Sequence, residues 1–196
     1  MSVKSSKIIN KGTGAGGAST NANGLPFEHK TDLSNGKDYL FLDERKLKVI
    51  SKTKFLRNLE NPDETIHLMH GMKQPDQAYL DEKSKLVFIN EVKFQQCSGS
   101  VCEKLQTSET KIFMLSKRYP EYTFHYAYCF NDYLFDKCKG EIQYFDFKGI
   151  KYFHGDDSSW KDDCKNWMLS IITEHYALKS EESTADLTEQ FESTKI

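Results

Sequence analysis

The run LVFIN, residues 86 to 90, passes without a break into Glu91-Val92-Lys93. Apolar, β-branched and aromatic residues in this density mark a buried strand. Ending a buried strand in charges is costly unless something compensates them. Just upstream, QAYL and the polar turn DEKS make residues 77 to 96 read as a hairpin. Side chains alternate across a strand, so Glu91 and Lys93 share one face and Val92 takes the other. The hairpin returns Asp76, which follows Pro75, to their side. Two carboxylates and a lysine therefore converge beside the Val92 carbonyl, and a divalent cation would offset the buried charge.

The rest of the chain has to supply a fold around that strand. A length of 196 residues suits one domain with its own core, and 38% hydrophobic and 13% aromatic residues with four prolines describe a folded globule. No apolar run approaches the ~20 residues of a membrane span. The opening MSVKSSKIIN lacks the apolar segment of a secretory signal, so the expected location is intracellular and cytoplasmic, not secreted. Five cysteines, odd in number and without a C-x-x-C pair, read as reduced thiols in preference to disulfides or a zinc site.

A net charge of −2 conceals an uneven distribution. Residues 1 to 57 hold eleven Lys or Arg against five acids, an excess of +6; from Ala177 onward five acids face two lysines, −3; the middle is then −5. Lysines that meet phosphates beside carboxylates that hold cations suit a metal-dependent DNA enzyme, although a solvated surface has the same charges.

Along the chain the pattern alternates between helix and strand. Residues 1 to 24 read as a flexible arm rich in Gly, Ser, Asn and Thr. A short helix is expected from Leu25 through Lys30, with Pro26 in its first turn. KLKVISKT reads as a strand, and FLRNLENPDETIHLMHG as a short helix or loop crossing. A helix of four or five turns is expected over GSVCEKLQTSETKIFMLSKRY, opened by the capping box of Ser100 and Glu103. EYTFHYAYCFN then suits a central strand, with Tyr122, Phe124, Tyr126 and Tyr128 on one buried face. Another helix, the short strand KYFHG and a closing amphipathic helix from Trp160 follow. Residues 25 to 178 thus form the domain, and 179 to 196 an acidic, mobile tail.

Pro75-Asp76, fifteen residues to Glu91, then Val92 and Lys93, resembles the motif of the PD-(D/E)XK nuclease superfamily, in particular its small type II restriction endonucleases. The resemblance covers residues 24 to 130. It rests on the metal motif in a hairpin, an upstream helix bearing Glu28, and a helix and a strand after the hairpin. It implies an α/β restriction-endonuclease-like fold, a mixed β-sheet flanked by helices on an αβββαβ core. It further implies that Asp76 and Glu91 coordinate Mg²⁺, for which Mn²⁺ can substitute, with the Val92 carbonyl as a neutral ligand. Lys93 would position or deprotonate the attacking water and offset transition-state charge. Glu28 would hold a second cation or orient water. Gln95, at strand spacing from Lys93, would reach the scissile phosphate. Asn90 directly before Glu91 and an acid-poor approach to Asp76 depart from the simplest pattern and leave the number of metal ions open.

SGS, residues 98 to 100, places amides at a helix start, where capping alone is the leading role of Ser100 and added contact with a DNA phosphate the alternative. Gly12, Gly14 and Gly17 match G-x-G-x-x-G, but IINK is too short and polar for the strand that a dinucleotide site needs, so no nucleotide cofactor is expected. The arm suits DNA better, with Lys11 on phosphate and Asn21 or Asn23 at a base edge. His67 and His70 lack a third ligand and read as surface or packing residues. Asp156 or Asp157 beside His154 reads as a helix cap. Cutting both strands of a duplex with one site per chain implies a homodimer, for which Trp160, Trp167, Leu169 and Ile172 offer a face. The leading expectation is a Mg²⁺-dependent, sequence-specific double-stranded DNA endonuclease. The alternatives are a nuclease selecting DNA structure or ends, and a nucleic-acid-binding protein without turnover.

Overall fold

Backbone hydrogen bonds of a buried strand must be met by neighbours on both sides, and here the LVFINEVK strand lies inside a six-stranded mixed sheet. The computed structural model describes residues 17–193 apart from 51, 70, 71, 73 and 98–100, with side chains described from 24 to 181 apart from those and residue 53. Lys11, the glycines before Gly17, His70, Ser100 and the side chains of Asn21 and Asn23 lie outside the described residues.

Helix α1 (Gly17–Lys30) comes first. Strands β1 (Tyr39–Leu42), β2 (Arg45–Ile50), β3 (Gln77–Asp81), β4 (Leu86–Lys93), β5 (Thr123–Phe130) and β6 (Lys151–His154) hydrogen-bond in chain order. The first four are antiparallel neighbours, whereas β4–β5 and β5–β6 are parallel. Parallel neighbours need crossovers. Helices α2 (Val101–Leu105) and α3 (Ser108–Arg118) make the first, and α4 (Asp132–Lys137) and α5 (Lys139–Lys148) the second. Helix α6 (Trp160–Ser193) closes the chain.

Both sheet faces are covered, and strand alternation sorts the side chains between them. Val87 and Ile89 of β4, with Phe124, Tyr126, Tyr128 and Phe130 of β5, pack with Leu115 of α3 and Phe145 of α5. Leu86, Phe88 and Val92 face the other way, with Phe27 of α1 and Trp160, Cys164, Met168 and Ile172 of α6. The four α6 residues recur every fourth position and form one stripe of the helix. Both crossovers lie on the α3 face, as strands added successively in one direction through connections of one hand require.

Several expectations change. Helix α1 begins at Gly17 instead of Leu25, so part of the expected arm is helical, and Pro26 stands inside the helix, where it forgoes a backbone hydrogen bond. A strand at Tyr39–Leu42 was not expected. The single helix expected after Ser100 is two, α2 and α3, with the Thr107 hydroxyl donating to the Lys104 carbonyl at 2.8 Å between them. Helix α6 runs to Ser193 through the expected mobile tail; residues 160 to 193 contain no Gly or Pro to stop it. The face proposed for dimerisation is used within the chain: Trp160 and Ile172 are buried, with Trp167 and Leu169 packed against the same core. No helix among the described residues is long and apolar enough to cross a membrane.

The reading of all five cysteines as reduced thiols is also corrected. Cys102 of α2 and Cys138, between α4 and α5, form a disulfide across 36 residues, with Cα atoms 6.1 Å apart. Their meeting depends on the two crossovers lying side by side, which spacing does not reveal. Cys97, Cys129 and Cys164 are free. Thiol titration of the protein unfolded without reductant is expected to find these three thiols, and five would remove the bridge. Reduction should cost about 2–4 kcal/mol of stability, read from urea unfolding.

Gly155 holds α1 close to the sheet. Its N–H donates to the Phe130 carbonyl at 2.6 Å, and an added Cβ would stand 2.6 Å from Cys129 Sγ and 2.7 Å from Phe27 Cζ. Gly155→Ala is therefore expected to destabilise the protein by about 1–3 kcal/mol through overpacking, measured by denaturant unfolding.

Candidate active site

The β3–β4 register builds the site. Gln77 pairs with Asn90 and Ala78 with Ile89, so one further step sets Asp76 across from Glu91. The Val92 N–H donates to Asp76 Oδ2 at 3.1 Å, which fixes the carboxylate beside the end of β4. From the next position on the Glu91 face, Lys93 Nζ reaches Glu91 Oε1 at 2.7 Å, the Val92 carbonyl at 3.3 Å and Asp76 Oδ2 at 3.5 Å. The four residues expected to converge do so, and the lysine ammonium lies among all three oxygen groups named as metal ligands.

Two lysines missed in the sequence complete the cluster. Lys52, in a short 3₁₀ turn after β2, bridges Glu28 Oε2 at 2.5 Å and Asp76 Oδ1 at 3.2 Å. Lys111 of α3 donates to Glu91 Oε1 at 3.1 Å and to the Tyr126 hydroxyl at 3.0 Å. Lys111 lies one helical turn before buried Leu115, so the helix period aims both at the sheet. Three carboxylates and three lysines thus alternate through the cluster. The charge on Glu91, for which a cation was expected, is already offset by Lys93 and Lys111.

The titration behaviour follows. Burial pushes the Glu91 carboxyl up, but the charges and hydrogen bonds of Lys93 and Lys111 outweigh it and hold it below the ordinary value of 4.5. Burial pulls the Lys52 ammonium down, while Glu28 and Asp76 more than restore it and leave it above its ordinary value. Burial, with the charge of Glu91 adding to it, raises the Tyr126 phenol well above its usual range, so it stays neutral.

The opposite sheet face braces the hairpin. Buried Asn90 donates to Gln77 Oε1 at 3.1 Å, Tyr79 donates to the same oxygen at 3.0 Å, and Gln77 Nε2 reaches the Thr31 carbonyl after α1 at 2.9 Å. Asn90 therefore helps to tie the hairpin to the segment that carries Glu28.

Access differs on the two flanks. An open groove of about 580 Å³ borders Glu28, Lys52 and Asp76, with Lys37, Lys48 and Lys54 interspersed with Asp32 and Asp38 on its walls. Lysines of the basic amino-terminal third thus meet carboxylates in one groove. On the other flank a void of about 20 Å³ borders Glu91, Lys111 and Tyr126. Such a volume suits one water. Glu91 Oε2 is buried without a hydrogen-bond partner.

Gln95 is not brought into the cluster. Its side chain turns to the Cys97 carbonyl, while its backbone pairs with the Asn131 side chain through bonds of 3.2 and 2.9 Å. Past the end of β4 the alternation that would have aimed it beside Lys93 no longer applies. His67 lies in irregular chain. His154 Nε2 lies 2.5 Å from Asp132 Oδ1, and Asp156, expected as a cap, accepts the Asp132 N–H at 2.9 Å and Lys30 at 2.6 Å. Asp132, His154 and Asp156 bring potential metal-ligand atoms within 4.8 Å of one another. That group lies at the carboxyl ends of β5 and β6, separate from Asp76 and Glu91, and its members are bonded to one another and to Lys30.

The fold is an α/β mixed sheet flanked by helices, and its candidate site is a carboxylate–lysine cluster at the end of a central strand, enclosed on the Glu91 flank and open to a groove on the Asp76 flank. No protein-family model, curated protein or solved structure matches this chain.

Glu91→Gln leaves two partly buried ammonium groups, each 17% exposed, without their shared counter-charge, and stability should fall at neutral pH by at most about 3–5 kcal/mol. The sign follows from the lowered Glu91 carboxyl: its contribution is complete above 4.5 and disappears as pH falls through its folded value. Denaturant unfolding of both proteins should therefore show the difference shrinking under acid conditions.

Proposed function

We propose that this protein is a Mg²⁺-dependent endodeoxyribonuclease of the PD-(D/E)XK type, hydrolysing phosphodiester bonds of double-stranded DNA at specific sequences. The observation that carries the reading is the contact of one ammonium, Lys93 Nζ, with Asp76, Glu91 and the Val92 carbonyl at the end of a buried strand. The order α1, β2–β3–β4, α3, β5, with β5 parallel to β4, supports it by agreeing with the expected αβββαβ core.

The donor set suits a hard divalent cation. All three groups offer oxygen, two are anionic, Glu91 Oε2 is buried without a partner, and a cationic group already lies among them. Asp76, Glu91 and the Val92 carbonyl would hold Mg²⁺, which when bound supplies Lewis acidity and a more acidic water. Lys93 would then leave the carboxylates and present its ammonium to the phosphate or the attacking water, offsetting the negative charge that builds in the transition state. Glu28 and Lys52, at the open groove, would orient the approaching backbone, with Lys37 and Lys54 on the groove wall to meet phosphate. Two copies, one site each, would cut both strands, meeting through a surface other than the buried stripe of α6.

The test is incubation of the purified protein with a defined phage DNA in Mg²⁺ or Mn²⁺, beside EDTA and a Lys93→Met variant. Discrete fragments are expected from the unmodified protein. The variant should lose about 10²–10³-fold in rate while still binding Mn²⁺, because an ammonium that competes for the ligand oxygens has gone. A smear would favour selection of DNA structure over sequence, and absence of cleavage with both metals would overturn the enzymatic reading. The full pairing of three carboxylates with three lysines gives the alternative, a DNA-binding protein without turnover, its specific observation. DNA affinity that ignores Asp76→Ala would favour that alternative.

A further inference from the structure

We infer that Lys111 is a positioning residue of this site, holding the Glu91 carboxylate in place from the enclosed flank when a divalent cation takes the position of the Lys93 ammonium. The inference rests on the metal-dependent reading above and assigns a role to a residue outside its motif.

Glu91 Oε1 accepts from two ammonium groups, Lys93 at 2.7 Å and Lys111 at 3.1 Å, and the two are not equivalent. Lys93 also contacts Asp76 and the Val92 carbonyl, so a cation bound by those oxygens competes with it directly. Lys111 touches neither of them; its other partner is the Tyr126 hydroxyl. Exchange of Lys93 for a cation therefore leaves the Lys111 bond to Glu91 in place.

Lys111 is well anchored for that task. Its helix is fixed to the sheet through Leu115, 2% exposed, and Tyr126 is 5% exposed. The corresponding lysine on Asp76, Lys52, is far more open, with 46% of its side chain exposed and a second bond to Glu28. Of the two lysines, Lys111 is thus the enclosed support and Lys52 the open one, and Asp76 is held besides by the Val92 N–H. Without Lys111, the carboxylate would border the void of about 20 Å³ with room to turn. Partners that orient a metal ligand are typically worth about 10–100-fold in metal affinity.

An opposing effect makes the test decisive. A nearby ammonium repels a divalent cation, so a lysine that merely balanced charge would tighten metal binding when removed. The experiment is calorimetric titration of Mn²⁺ into the full chain and into Lys111→Met and Lys111→Gln, with thermal unfolding to verify the fold. Methionine removes charge and donor, whereas glutamine removes the charge and keeps an N–H. Lys111→Met is expected to bind Mn²⁺ about 10–100-fold more weakly, with Lys111→Gln nearer the unmodified protein. If methionine prevents folding, Tyr126→Phe, which keeps the ring and the charge but removes Lys111's second anchor, should still weaken binding. Unchanged or tighter binding in Lys111→Met, or equal losses in both lysine variants, would overturn the inference and leave the nuclease reading standing. Failure of the unmodified protein to bind Mn²⁺ would instead remove the metal reading, and this inference with it.

Discussion

The Lys93 ammonium is the point on which the site's organisation depends. It satisfies two carboxylates and a carbonyl that would otherwise face one another at the end of a buried strand. Burying one charge costs several kcal/mol even after the protein relaxes. A cluster of alternating signs avoids that cost. Lys52 and Lys111 extend the alternation outward, so Glu28, Asp76 and Glu91 each have an ammonium within 3.2 Å.

Such a cluster needs a rigid frame, and the two-sided sheet provides it. Strand β4 has Leu86, Phe88 and Val92 packed under α1 and α6, and Val87 and Ile89 packed under α3 and α5. Its charged end is thus carried by a strand packed on both faces. The Asn90–Gln77–Thr31 chain of hydrogen bonds does on the α1 face what the Lys111–Glu91 pair does on the α3 face. Both link the β3–β4 hairpin to the end of a helix or to the helix itself. The disulfide between Cys102 and Cys138 adds a covalent link between the two crossovers that form the α3 face.

Short-range pattern makes part of this legible in the chain itself. The apolar run into Glu91 and the polar turn at DEKS place the hairpin, because strand alternation and turn chemistry act over a few residues. They also place Asp76, Glu91 and Lys93 on one side. The same reasoning fails for Gln95, where the strand ends, and for the start of α1, where Pro26 lies in mid-helix. Lys52 and Lys111 carry no such signal: lysines are frequent in this chain, and each reaches a carboxylate at least 20 residues away in sequence.

By itself, then, the sequence determined the local elements around the motif and which of its side chains share a face, since both follow from backbone periodicity. Tertiary structure alone decided what surrounds them. It chose α3 to lay Lys111 on Glu91, turned the α6 stripe inward instead of toward a second copy, and brought Cys102 to Cys138. Each of those outcomes depends on how helices pack across a sheet, and that packing is settled by contacts between residues far apart in the chain.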